Sequence, residues 1–277
     1  MKIHELLKYG RNVLSEAGVP DAEADAWLLL SDAVGLDRAG LFLCGTEPAA
    51  PEAEERYREM IAARAKRIPL QHITGKAYFM GLTFHSDART LVPRPDTETL
   101  VEAVLEEVSS GGTLLDLCTG SGCIAVSLAR LGMFGAVTAS DLSDDALTAA
   151  RENAALNGCK DILFVKSDLF DAFDGKTFDV ITVNPPYIRD AVIGTLMPEV
   201  RDHDPYMALS GGEDGLIFYR RLAAESGVHL NPGGRIFMEI GHDQAEEVEA
   251  LLGAAGFAEI RMIKDLGGNP RVICCRK

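Results

Sequence analysis

Positive charge is what this chain has least of for its size. Its 277 residues carry 27 Lys and Arg against 42 Asp and Glu, a formal net charge of −15. Proteins that track a nucleic-acid backbone draw much of their affinity from neutralising phosphates and show a basic stripe. The best basic cluster here is Arg56, Arg58, Arg64, Lys66 and Arg67, interleaved with Glu54, Glu55 and Glu59. It reads as a solvated helix face laced with salt bridges, so direct nucleic-acid binding is not expected. Long apolar runs are also missing. None reaches the length of a bilayer span, and Met1-Lys2-Ile3-His4-Glu5 lacks a signal-peptide core, so no membrane association is expected. The six cysteines, Cys44, Cys118, Cys123, Cys159, Cys274 and Cys275, show neither metal-ligand spacing nor a disulfide framework. Cys118 and Cys123 flank a Gly turn and no second pair exists. The expectation is no metal and a reducing cytoplasm.

What the chain does have is 47% hydrophobic residues, enough for one large or two ordinary cores. Residues 1–68 read as consecutive helices. Ile3, Leu6, Leu7, Val13 and Leu14 carry helical spacing up to Gly18. Asp21 stands at the N-cap of a second helix holding Trp27, Leu28, Leu30 and Val34 and closed by Gly35, and a third runs from about Pro51 to Arg67. Residues 69–92, with Gly75 and Gly81, suggest a hairpin linker. Residues 93–277 alternate short strands with helical patterns, the signature of a parallel sheet with crossover helices.

Four strand ends in that region carry polar chemistry. Thr113–Leu117 runs into Cys118-Thr119-Gly120-Ser121-Gly122, and Ala136–Ser140 ends at Asp141, with Ser143 capping the next helix. Ile162–Val165 ends near Asp168-Leu169, and Phe178–Val183 stops at Asn184-Pro185-Pro186-Tyr187. Two prolines in a row forbid both a continued ladder and an immediate helix. Ligands of open α/β sheets bind in the crevice at the carboxyl ends of the strands.

The Asn184 side-chain oxygen and the Pro185 carbonyl are two neighbouring acceptors with no proline N–H between them. They can hold both protons of one planar –NH2 group. Holding them in the geometry of a tetrahedral nitrogen favours the state whose lone pair is free to attack. Tyr187 offers a flat ring for stacking. A Gly turn at a helix N-terminus, with an acid about twenty residues on for ribose hydroxyls, suits a nucleotide-like ligand. The third glycine of the dinucleotide fingerprint is absent, with Ala125 the nearest small residue, and no hydride-transfer acid or base stands beside the turn. The joint pattern favours S-adenosylmethionine, its methionine part over residues 118–122, ribose on Asp141 and adenine near Asp168-Leu169.

These residues resemble the protein-(glutamine-N5) methyltransferases of the release-factor type over nearly the whole chain. The resemblance rests on Leu91-Val92-Pro93-Arg94-Pro95-Asp96-Thr97-Glu98, Asp116–Gly122, Asn184–Ile188, Gly212-Glu213-Asp214-Gly215-Leu216 and Glu239–Gln244. It implies an α/β class I (Rossmann-like) methyltransferase sheet, with an N-terminal helical bundle for substrate recognition joined by a β-hairpin. It further implies methylation of the glutamine in the Gly-Gly-Gln loop of class I peptide-chain release factors, recognised by both domains. Placement of the Arg94–Glu98 motif near the glutamine pocket also comes from the resemblance. The chain is expected to act as a monomer. Two positions depart from the family pattern: Cys118 stands where glycine is usual, and Asp204-Pro205 replaces the common Glu-Pro. Three rivals stay open: a ribosomal-protein glutamine methyltransferase, a nucleic-acid adenine N6-methyltransferase, and a binding module that has lost turnover. The acidic balance and apolar helical region oppose the second, and the intact quartet with Asp141 opposes the third.

Overall fold

The computed structural model describes residues 1–108 and 111–277. The chain folds as two compact units, one of residues 1–75 with 197–203, the other of residues 76–196 with 204–277. The first unit is helical: α1 (Ile3–Glu16), α2 (Ala22–Val34), α3 (Arg38–Leu43), α4 (Pro51–Ala65) and α5 (Leu70–Thr74). Their apolar faces bury Leu6, Leu14, Leu29, Leu30, Tyr57 and Ile61 completely. Asp21 does precede α2, but its side chain makes no capping bond. The short α3 is instead capped by Asp37, whose Oδ1 accepts from Gly40 N at 2.8 Å. Leu28, expected inside, is 53% exposed, and Phe42 and Leu43 are still more open.

The basic cluster on α4 is only partly the solvated face expected of it. Arg58 pairs with Glu54 one turn away, but Arg64 is buried. Arg64 donates to Asp25 at 2.6 Å and to Glu199 at 2.8 Å, and Glu199 also accepts twice from Arg67 at 2.6 Å. Burial opposes ionisation of Glu199, yet the Arg67 and Arg64 guanidiniums hold its pKa down to about 2. Residues 197–203 are thus tied into the helical unit by ion pairs taken out of water.

The second unit begins with the hairpin β1 (Lys76–Phe79) and β2 (Leu82–His85). The hairpin starts later than the sequence suggested, because Leu70–Thr74 closes into a helical turn. Phe79 and Phe84 sink into the core of the second unit, and Asn153 Oδ1 accepts from His85 N at 2.6 Å. Then follow α6 (Pro95–Glu107), β3 (Thr113–Leu117), α7 (Cys123–Leu131), β4 (Ala136–Asp141), α8 (Asp144–Leu156), β5 (Leu163–Lys166) and β6 (Phe178–Val183). After α9 (Asp190–Ile193) and α10 (Pro198–Arg201), which is part of the helical unit, come α11 (Ile217–Glu225), β7 (Leu230–Glu239), α12 (Ala245–Ala254), β8 (Ala258–Lys264) and β9 (Pro270–Arg276).

The seven strands lie in the order β5-β4-β3-β6-β7-β9-β8, parallel from β5 to β7, with β9 antiparallel to both its neighbours. This is the class I methyltransferase sheet. Its central strands are near-continuous apolar runs because helices cover both faces. The N-terminal residues of α7, Cys123 to Leu128, are all buried, as expected of a helix behind the middle strand. Ser143 caps α8 as read from the sequence, accepting from Ala146 N at 3.2 Å. Among the described residues no helix is long and apolar enough to cross a membrane, and no cluster of His, Cys, Asp and Glu could hold a metal ion.

Candidate active site

The strand order and register bring the four polar strand ends together in a row. Cys118 follows Leu117 at the end of β3, between Asp141 on β4 and Asn184 after β6. The Cys118 thiol reports that crowding: burial pushes its pKa up, and Asp141, Asp116 and Asp168 push it further. Cys118 has φ +53°, so the loop does take up the left-handed backbone that glycine adopts freely, with a Cβ present.

Below that loop lies Asp116, fully buried on β3. Thr119 Oγ1 donates to it at 2.6 Å and Thr182 Oγ1, on β6, at 2.7 Å. Burial nevertheless raises its pKa to about 7. This acid binds the loop to two strands and faces no solvent, so its role is to hold the turn. Asp141 holds the turn from the other side. Its Oδ2 accepts from Gly120 N at 2.9 Å and its Oδ1 from Ser143 N at 2.9 Å. Asp141, which the sequence offered only as an acid for ribose hydroxyls, therefore also staples the loop to the start of α8.

The same carboxylate fits a ribose. Burial raises the Asp141 pKa despite the backbone donors of Ser143, Gly120 and Leu142, so its charge is under-compensated. Each carboxylate oxygen accepts more than one hydrogen bond, and two vicinal hydroxyls would supply the missing donors. After β5, Ser167 Oγ donates to Leu169 O at 2.8 Å and holds Leu169 at φ +47°. Asp168 is engaged by Arg221, whose Nη1 donates to its Oδ1 at 2.6 Å. That ion pair was not foreseen and leaves Asp168 shared between Arg221 and any ligand.

The quartet after β6 is clamped from behind. Gln244 Nε2 donates to both Tyr187 O and Gly215 O at 3.1 Å, and Ile188 exchanges backbone bonds with Leu209 and Gly211. A Cβ on Gly211 would meet Tyr187 Cα at 2.8 Å, and one on Gly215 would meet Tyr187 O at 2.6 Å. The Gly-rich segment 211–216 is therefore the bed on which Tyr187 lies, since only glycine lets backbone approach that closely. Pro185 is buried, while Asn184, Pro186 and Tyr187 are half-buried.

Three polar groups lie behind the quartet: Thr97 and Glu239, which the sequence showed in motifs without a role, and Arg271, which it did not single out. Asn184 Nδ2 donates to the buried Thr97 hydroxyl at 3.4 Å, and Tyr187 Oη donates to Glu239 Oε1 at 3.3 Å. Glu239, at the end of β7, is 2% exposed, and burial lifts its pKa to about 7 against the pull of Thr97, Arg271 and Tyr187. Arg271 on β9 reaches Asp96 at 3.2 Å and Asp265 at 3.1 Å. The signal in the sequence was a lone acid in the apolar stretch Ile236-Phe237-Met238-Glu239-Ile240. The neighbouring motif also finds its purpose: Arg94 pairs with the buried Asp204 at 2.7 Å, and Glu98 Oε1 accepts from Met80 N at 2.5 Å. Asp204, one of the two departures from the family pattern, thus anchors the start of α6.

Comparison with known proteins converges with this geometry. Residues 5–75 match the family model described as the PrmC N-terminal domain, and residues 95–199 the methyltransferase small domain. A release factor glutamine methyltransferase of Deinococcus radiodurans is 44% identical over 280 residues, covering 100% of this chain and 99% of its own. That of Geobacter sulfurreducens is 40% identical over 271 residues, covering 98% of this chain and 95% of its own. Among solved structures, an E. cuniculi complex responsible for methylation of the eRF1 translation termination factor is 25% identical. It has a TM-score of 0.51 and covers 68% of this chain and 99% of that one. With relatives this similar across both units, the chain belongs to the release factor glutamine methyltransferase family.

Proposed function

We propose that this protein methylates the side-chain amide nitrogen of the glutamine in the Gly-Gly-Gln loop of class I peptide-chain release factors, with S-adenosylmethionine as methyl donor. When bound, the donor supplies an electrophilic methyl carbon on its sulfonium. The loop 118–122 and the N-terminus of α7 would hold its methionine part, Asp141 its ribose, and Asp168 with Leu169 its adenine.

The observation that carries the acceptor reading is the orientation of Asn184. Asn184 Nδ2 donates to the Thr97 hydroxyl at 3.4 Å, which commits that end of the amide to the protein. Oδ1 remains as an acceptor beside the Pro185 carbonyl. These two oxygens hold the two protons of the glutamine amide, and Tyr187, fixed on its glycine bed, orients the amide plane. Neither acceptor competes for the nitrogen lone pair, so the groups favour the tetrahedral nitrogen over the planar one. Positioning supplies most of the rate, and the proton leaves to water after transfer. The exposed apolar residues Leu28, Phe42 and Leu43 of the helical unit offer a surface for the release factor. We further infer a cytoplasmic monomer that binds no nucleic acid of its own.

Purified protein, isotopically labelled donor and intact release factor test this directly. Mass spectrometry should place one methyl on the Gly-Gly-Gln glutamine, and a Gln→Glu release factor should take none. Label on a ribosomal protein alone, or on an adenine-containing oligonucleotide, would replace the reading.

A further inference from the structure

The mechanism above uses Asn184, Pro185 and Tyr187 but leaves unexplained why a carboxylate is buried directly behind them. Glu239 lies at the end of β7, where the pairing of Val183 with Met238 sets it beside Asn184. Its Oε1 accepts from the Tyr187 hydroxyl at 3.3 Å. Its other oxygen is buried and makes no well-formed hydrogen bond, and the Thr97 hydroxyl lies near enough to favour the ionised form. Thr97 in turn accepts from Asn184. A buried, incompletely paired carboxylate costs stability, and nothing in the packing of a β-strand requires one.

We infer that Glu239 is a positioning residue for methyl transfer, setting Tyr187 directly and Asn184 through Thr97 so that both face the acceptor amide in one orientation. The inference rests on the glutamine reading above and names the group that enforces its geometry. As a carboxylate, Glu239 attracts the protons of both hydroxyls. Thr97 Oγ1 is then left to accept from Asn184. As a neutral acid, Glu239 donates to Thr97 instead, the Thr97 proton loses its acceptor, and the Asn184 amide is free to turn over.

Other charged groups around Glu239 do not substitute for it. Arg271 on β9 favours its ionisation and Asp96 on α6 opposes it, as burial does. The Tyr219 hydroxyl on α11 binds the Glu239 backbone carbonyl at 2.8 Å, not the side chain. Cys123 at the start of α7 has its own pKa raised partly by Glu239.

The test compares wild type with Glu239→Gln, Glu239→Ala and Tyr187→Phe in two measurements. The first is NMR of protein labelled with ring-13C tyrosine, with the Tyr187 signal assigned by its loss in Tyr187→Phe. Wild-type Tyr187 should shift with a midpoint near the Glu239 pKa of about 7, and Glu239→Gln should abolish the shift. The second is steady-state methylation of release factor against pH. Wild-type kcat should rise through the same midpoint. Glu239→Gln should sit on the low-pH plateau without pH dependence, roughly tenfold down, and Glu239→Ala should fall roughly hundredfold, with donor affinity unchanged in both. A glutamine variant with wild-type kcat and pH profile, or a Tyr187 signal indifferent to Glu239, would overturn the inference. So would variants that lose only thermal stability. Wild type that shows the Tyr187 titration but never methylates the glutamine would count against the acceptor reading and leave the positioning contact standing.

Discussion

Replacing Asp141 separates its two jobs, because the structure gives each a different size. In Asp141→Ala the amides of Gly120 and Ser143 lose their acceptors, both at 2.9 Å. A hydrogen bond to a charged group contributes roughly 1.5–3 kcal/mol. Part of that is offset, because burial raises the Asp141 pKa and removing the charge relieves that desolvation. The net loss should be about 1–3 kcal/mol, which for a unit of this size lowers Tm by roughly 3–10 °C. Asp141→Asn should do no better, since its NH2 must face one of the two backbone N–H donors. Donor affinity should fall by a further ~1.5–3 kcal/mol, roughly ten- to a hundredfold, as the ribose hydroxyls lose their acceptors. Calorimetry with S-adenosylhomocysteine, run well below the melting transition, reads the second effect, and a thermal melt without ligand reads the first. A shifted Tm with unchanged affinity would remove Asp141 from the donor site. An unchanged Tm would refute the staple.

Asn184→Ala removes one of two acceptors that matter most as the nitrogen becomes tetrahedral. It should lower kcat by roughly 10²–10³ with little change in donor affinity, checked by single-turnover methylation alongside calorimetry. Gly215→Ala has φ +77° and a Cβ only 2.6 Å from Tyr187 O and Gln244 Nε2, so Tyr187 must move; activity and Tm should both drop, and a fully active variant would show that the bed is not needed. Asp116 and Glu239 are both lifted to about 7 from 3.8 and 4.5, so the folded state holds their protons more tightly than the unfolded chain. Their contribution to stability is full below about pH 4 and is lost as pH rises to about 7. Asp116→Asn should therefore flatten the fall of unfolding free energy between those values in urea titrations, and an unaltered slope would place the Asp116 pKa near its ordinary value.

Strand-level structure was legible where residue choice and local chemistry agreed. Thr113–Leu117 and Phe178–Val183 are strands with the ends read from the sequence, because a Gly turn stops one and Pro185-Pro186 the other. Leu70–Thr74 fell inside the hairpin read over 69–92, although Leu70 and Ile73 stand three residues apart, the spacing of a helical turn. Leu28 was placed inside by its spacing although the partner elements leave that side of α2 open, a tertiary fact no periodicity carries. Arg64 was hidden for the same reason, since its partner Glu199 is 135 residues away. Glu239 was present in a quoted motif, yet its role depends on Tyr187 and Thr97, which approach it from two other elements. The second oxygen of Asp141 points into the loop it stabilises, and a strand-end acid looks the same in sequence whether it binds backbone, ligand or both.

Register explains how segments so far apart in the chain become one site. Leu117 pairs with Ser140 on one side and Val183 on the other, so the residues that follow, Cys118, Asp141 and Asn184, emerge side by side. Val183 pairs with Met238, which brings Glu239 into the same row. Successive side chains alternate between faces, so a slip of one residue in any of these pairs would turn the acid or amide to the opposite face of the sheet. The polar row is protected against such a slip by its own chemistry. Asp116 is fully buried and accepts from Thr182 across the β3–β6 pair, and in a slipped register it would lie buried without that donor. A buried polar group left without its partner costs about 1–3 kcal/mol, more than the roughly 0.8 kcal/mol that burying one further methylene along the strands contributes. The acid that never meets a ligand therefore holds in register the ones placed to do so.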